Sequence, residues 1–177
     1  MSQMRVVGIR VEPPQNQPVL LLREEAGERY LPIWIGQSEA ASIALQQRGI
    51  EPPRPLTHDL IVNLCEAFGR ELTEVRIVDM QEGTFYAEMV FGGSGAGETV
   101  VQARPSDAIA VAMRTGAMIV AADQVLEDAG LLMPDEDGDD DADGDSPASE
   151  DELEAFREFL DQVSPEDFLG PEGPTAS

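Results

Sequence analysis

Polar and apolar positions alternate along residues 4–12 (MRVVGIRVE), and two longer apolar runs, PVLLLREE and ERYLPIWI, flank Ala26-Gly27. The alternation predicts a strand, and the paired runs predict a β-hairpin. From Gln37 the spacing turns helical, with Ser38 as N-cap and Gly49 as the C′ residue, until EPPRP at 51–55 ends any helix. The stretch THDLIVNLCEAFG predicts a second helix, with Thr57 as N-cap and Asp59 in the first turn, where the helix dipole favours an anion. Leu60, Ile61, Leu64 and Phe68 mark one buried stripe on it, and Gly69 closes it. ELTEVRIVDMQ and GTFYAEMVF read as strands joined at Glu82-Gly83, with GGSGAG as the loop to a further strand, ETVVQAR. A helix ending at Gly116, a short strand MIVA and a helix ADQVLEDAG complete a body that stops near Met133.

One pattern occurs twice. SEAASIAL at 38–45 and SDAIAVAM at 106–113 place Ser, an acid, Ala, a branched apolar residue, Ala and Leu or Met at matching positions. The strands that precede each copy match in order as well, which indicates internal duplication. The expected fold is therefore α+β: a mixed, largely antiparallel sheet with packed helices, built from two β-β-β-α-like halves. If the halves pack about a local twofold axis, Glu39 and Asp107 open twin helices onto one crevice.

Composition changes this picture mainly at the C-terminal end. The chain carries a formal net charge of −24, but residues 134–177 hold one Arg against 17 acids, so most of the excess lies in the tail. Residues 134–150 (PDEDGDDDADGDSPASE) offer almost nothing to bury and predict a disordered acidic linker. In 151–168, Leu153, Phe156, Leu160 and Val163 recur at helical spacing, an amphipathic helix whose stripe suits a protein partner; 169–177 is a tail. Asp139, Asp141, Asp143, Gly144 and Glu150 match a calcium-loop spacing, yet Pro147 interrupts the loop and no helix leads into it, so an EF-hand is rejected.

All 11 cations are Arg, and no basic run announces nucleic acid. With the single Cys65 in an apolar helical stretch, no disulfide within the chain is possible. No leader-like start and no apolar run of about 18 residues is present, so the expectation is a cytoplasmic chain without a membrane span.

The chemistry-bearing residues cluster at predicted helix starts. Two carboxylates, Glu39 and Asp107, beside a histidine suit a divalent cation (Mg or Mn) that activates water. His58 would be the base or proton shuttle, Asp59 its orienter or a further ligand, and Arg104, at a strand end before Pro105, a phosphate clamp. GGSGAG joins two strands and lacks a following Lys-Ser/Thr, so it is a hairpin loop and no phosphate cradle.

The blocks LPIWIGQSEAASIAL, RPLTHDL, VRIVDMQEGTFYAEM and ARPSDAIAVAMR together resemble the bifunctional nuclease domain family over residues 4–133. That resemblance implies a compact α+β domain that commonly self-associates, with nuclease activity on DNA and RNA. It places the family's polar motif positions on Glu39, Thr57, His58, Asp59, Glu82, Arg104, Ser106 and Asp107. Two functional expectations follow. One is a metal-dependent nuclease that cleaves phosphodiester bonds as a homo-oligomer; the other is a non-enzymatic interaction or regulatory domain whose 151–163 helix docks on a protein.

Overall fold

A computed structural model describes residues 1–12, 16–93 and 97–132 of the chain. The acidic linker, the calcium-loop match, the C-terminal helix and the middle of GGSGAG lie outside these residues. Eight strands and four helices follow one another along the described chain. They are β1 (Ser2–Glu12), β2 (Gln17–Glu24), β3 (Arg29–Trp34), α1 (Gln37–Gln47), α2 (Thr57–Ala67), β4 (Glu71–Gln81) and β5 (Thr84–Gly92). After them come β6 (Thr99–Ala103), α3 (Pro105–Thr115), β7 (Met118–Ala121), α4 (Asp123–Ala129) and β8 (Leu131–Leu132).

The strands form one sheet in the order β6-β5-β4-β7-β1-β2-β3-β8. β7 runs antiparallel to β1 and parallel to β4. Consequently β1 and β4 run in opposite directions on either side of β7, as a local twofold normal to the sheet requires. From β7 outward, each half then lays down its three strands in chain order, and α1 or α3 closes the half. The duplicated pattern thus corresponds to a duplicated arrangement. β7 itself breaks the symmetry, since the second half supplies the strand that joins the two.

Turn chemistry sets the registers. Arg29 donates from Nε and Nη2 to both oxygens of Glu24, each at 3.0 Å, and so fastens the ends of the β2–β3 hairpin. Gln81–Thr84 forms a tight turn. Its central residues, Glu82 and Gly83, have φ of 49° and 75°, as a two-residue turn with left-handed central positions demands.

The core lies between the sheet and its helices. Leu20, Leu22, Leu31, Val75 and Ile77 from the strands meet Ile43 of α1 and Ile109 and Val111 of α3, all nearly inaccessible to water. Helix α3 is buried along most of its length, and its Ala108, Ala110 and Ala112 let neighbouring backbones approach closely.

Two details differ from the sequence expectation. The N-caps are Gly36, Leu56 and Arg104, none making a side-chain cap bond, while Ser38, Thr57 and Ser106 lie inside the first turns. Pro105 at the first position of α3 suits its fixed φ and puts the cap at Arg104, two residues upstream of Ser106. Of the expected stripe only Ile61 packs on the core; Leu60, Leu64 and Phe68 are exposed, because α2 turns His58, Val62 and Cys65 inward instead.

Candidate active site

Helices α1, α2 and α3 each carry an acid at the third helical position: Glu39, Asp59 and Asp107. At that position a carboxylate faces the unsatisfied N–H groups of the first turn. Asp59 uses it directly, since its Oδ2 accepts the Leu56 N–H at 2.8 Å. Helix α3 packs against both α1 and α2, so these acidic first turns meet arginines contributed by α3.

Arg104, the N-cap of α3, donates from Nε to Asp107 Oδ2 at 2.7 Å and from Nη2 to Asp107 Oδ1 at 3.0 Å. The same Nη2 reaches Glu39 Oε1 at 2.6 Å. Asp107 Oδ1 also lies 3.2 Å from His58 Nε2, and His58 Nδ1 lies 2.8 Å from Ser42 Oγ. Behind them Arg114, from the last turn of α3, donates to Ser42 Oγ at 3.0 Å and to the Ala110 carbonyl at 2.8 Å. Its Nε donates to Asp59 Oδ1.

Direction in this chain follows from arginine being a donor only. Ser42 Oγ accepts from Arg114, which leaves its own hydrogen for His58 Nδ1. His58 then carries its ring hydrogen on Nε2 and donates it to Asp107, a tautomer assigned from the network. Asp107 therefore receives donors from the imidazole on one side and the guanidinium on the other.

The electrostatics agree with that count. Burial pushes the Asp107 carboxyl upward, but hydrogen bonds from Arg104 and His58 outweigh it and hold the group below its ordinary value. A hydrogen bond from Arg114 does the same for Asp59, again against burial. Arg104 is raised by Asp107 first and Glu39 second, so it stays charged throughout. Among the described residues, no buried side-chain nitrogen or oxygen lacks a hydrogen-bond partner.

Of the five residues expected at the site, Glu39, His58, Arg104 and Asp107 form one connected cluster, with Arg104 66% exposed above a buried His58. Asp59 joins from behind, through Arg114 and Ser42, and does not touch His58's ring nitrogens. Thr57 is exposed at the start of α2, and Ser106 is buried. Ser42 and Arg114 escaped the sequence reading. A signal existed, because Ser42 stands where the second copy of the repeat has Ala110, a hydroxyl at a position the twin helix keeps apolar.

The donor set does not fit a divalent metal as arranged. Glu39 and Asp107 already share one guanidinium, and no group of three or more His, Cys, Asp or Glu among the described residues is placed to hold an ion. Cys65, half-buried on α2 with its thiol pushed up by burial, takes no part in the cluster.

Comparison with known proteins is consistent across the body. A family model described as the bifunctional nuclease domain matches residues 20–134. Two uncharacterized proteins from strains of Mycobacterium tuberculosis are 61% identical over 168 residues, covering 95% of this chain and 98% of theirs. A protein of Oryza sativa subsp. indica named bifunctional nuclease 1 is 28% identical over 112 residues, which is 62% of this chain and 34% of that protein. With the match spanning most of the body and including every residue of the Glu39–Arg104–Asp107–His58 cluster, this chain belongs to the bifunctional nuclease domain family.

Proposed function

We propose that this protein hydrolyses phosphodiester bonds in DNA or RNA at the Glu39–Arg104–Asp107–His58 cluster, acting in the cytoplasm. The observation that carries the proposal is an exposed guanidinium, Arg104, fixed by two carboxylates with an imidazole directly behind one of them. A planar fork held in this way matches the oxygens of a phosphate and does not have to be ordered on binding. In the reaction, a water oxygen bonds to phosphorus, a P–O ester bond breaks, and the departing oxygen takes up a proton.

Arg104 pairs with the non-bridging oxygens and offsets the charge that builds on them. Glu39 Oε2, which Arg104 leaves free, takes the water proton. Asp107 is held ionised and orients Arg104, while His58, with both ring nitrogens engaged, positions Asp107. Asp59 acts at one remove by fixing Arg114.

A second reading, an oligomeric interaction domain without catalysis, is favoured by the mutual pairing of Arg104, Asp107 and His58 and by the absence of lysine. Cleavage of single-stranded DNA and RNA by wild type and Asp107→Asn, purified side by side, separates the two. Magnesium, manganese and EDTA arms test the metal dependence. Cleavage by wild type that Asp107→Asn abolishes supports the nuclease; equal traces in both preparations support the interaction domain.

A further inference from the structure

Side chains from all four helices pack into one core with Leu20 and Leu22 of β2. Successive side chains of a strand point to opposite faces, so Val19, Leu21 and Arg23 point away from the helices. Register fixes what stands beside them. Val19 has Arg10 of β1 on one side and Trp34 of β3 on the other, while Arg23 has Arg5 and Tyr30. Between these two rows Gly8 and Pro32 flank Leu21, so the middle row is uncharged and has no side chain at Gly8.

The three rows hold three of the chain's 11 arginines and no acid, although the chain's net charge is −24. Arg5 and Arg10 are exposed, and Arg23, Tyr30 and Trp34 are half-buried. Arg5 lies directly opposite Arg23, and like charges so placed destabilise a strand pair, a cost that a bound anion removes. The Arg23 guanidinium also lies over the Tyr30 ring, 5.4 Å from its centre.

We propose that this face is a track for single-stranded nucleic acid, with a base stacked on Trp34 and phosphates paired by Arg10, Arg5 and Arg23. Cationic and aromatic side chains interleaved on a sheet are what hold an unpaired strand, because every base offers a face to stack and every nucleotide a charge. A duplex keeps its base faces inside the stack, beyond the reach of Trp34.

The position of Trp34 joins the track to the cluster. Trp34 ends β3 two residues before Gly36, the N-cap of α1, and Glu39 Oε2 lies on the side that Gly36 leaves bare. That places the Trp34 Cα within roughly 11 Å of the Glu39 carboxylate, whose other oxygen holds Arg104. The track rests on the nuclease reading only for where the strand leads; binding does not require it.

Trp34 is the only tryptophan, so its fluorescence reports on the track in the full, unaltered chain. Titration with a single-stranded phosphorothioate oligothymidylate, which resists cleavage, is expected to quench that emission, and the matching duplex to leave it nearly unchanged. Anisotropy of the same oligonucleotide, labelled, should show Trp34→Leu binding about 10-fold more weakly. Arg5→Gln with Arg10→Gln alters exposed side chains that folding does not need. In that variant the plot of log affinity against log salt should be shallower by about 1.4, the release expected for two lost phosphate contacts. Quenching by wild type that cleaves nothing supports the track and sinks the nuclease reading. Cleavage with unchanged Trp34 emission sinks the track alone. Equal quenching by duplex or by inorganic polyphosphate overturns the stacking, and an unchanged salt slope overturns the arginine contacts.

Discussion

Arg104 and Glu39 lie 65 residues apart in sequence and meet at 2.6 Å, with the guanidinium at the N-cap of one repeat helix and the carboxylate in the first turn of the other. The pair links the duplicated halves chemically and makes one site from two helix starts. It also gives Arg104 a fixed orientation while leaving much of it in water.

Removing that guanidinium should damage function more than stability. Arg104→Ala is expected to lower kcat/KM for oligonucleotide cleavage by about 100-fold, the size of effect seen when one charge-stabilising donor is deleted. Exposed ion pairs contribute roughly 0–1 kcal/mol, so thermal melting should shift little. Arg104→Lys should restore only a minor part of the activity, because an ammonium cannot bridge both acids as a fork does.

Gly36 offers a way to disturb Glu39 without replacing it. A Cβ at this position would sit 2.2 Å from Glu39 Oε2, while its φ of −75° suits any residue. Gly36→Ala should therefore displace the carboxylate and leave the backbone as it is. The expected outcome is activity close to that of Glu39→Gln, with the melting temperature held; a variant with wild-type turnover would remove Glu39 from the reaction.

Asp59 and Arg114 should behave as a structural pair. Arg114 is almost wholly buried, and deleting its acid strands a buried charge, which costs about 3 kcal/mol. Asp59→Asn is expected to show that loss in urea denaturation. Adding Arg114→Met should recover part of it, and the coupling in the double-mutant cycle measures the pair.

Acid sensitivity follows from the two lowered carboxyls. Asp59 and Asp107 have folded pKa values below the 3.8 of an ordinary Asp. The stability they contribute is complete above about pH 4 and is lost as pH falls through their folded values, since the unfolded chain binds these protons first. Melting temperature measured from pH 5 downward should fall steeply below about pH 4 in wild type, and less steeply in Asp59→Asn.

Much of the molecule is written in local pattern. Alternation placed the strands, the glycines at 49, 69 and 116 end their helices with φ near 62–73°, and the twin Ser-acid-Ala motifs announced two related halves. These features depend on neighbours in sequence, through backbone conformation and side-chain period, and so they can be read one segment at a time. Local pattern could not say which of two adjacent stripes α2 would bury. Leu60, Leu64 and Phe68 are more apolar than the face holding His58, yet His58 went inside because Ser42 and Asp107 were there to satisfy both its nitrogens.

The sequence by itself determined the elements, the duplication and the acids at the helix starts. Only the tertiary structure decided that those acids converge on arginines, that Ser42 and Arg114 complete the cluster, and which face of α2 meets the body. The physical reason is that a buried polar group is stable only with its partners in place, and those partners come from segments that folding brings together across 16 to 72 residues of chain.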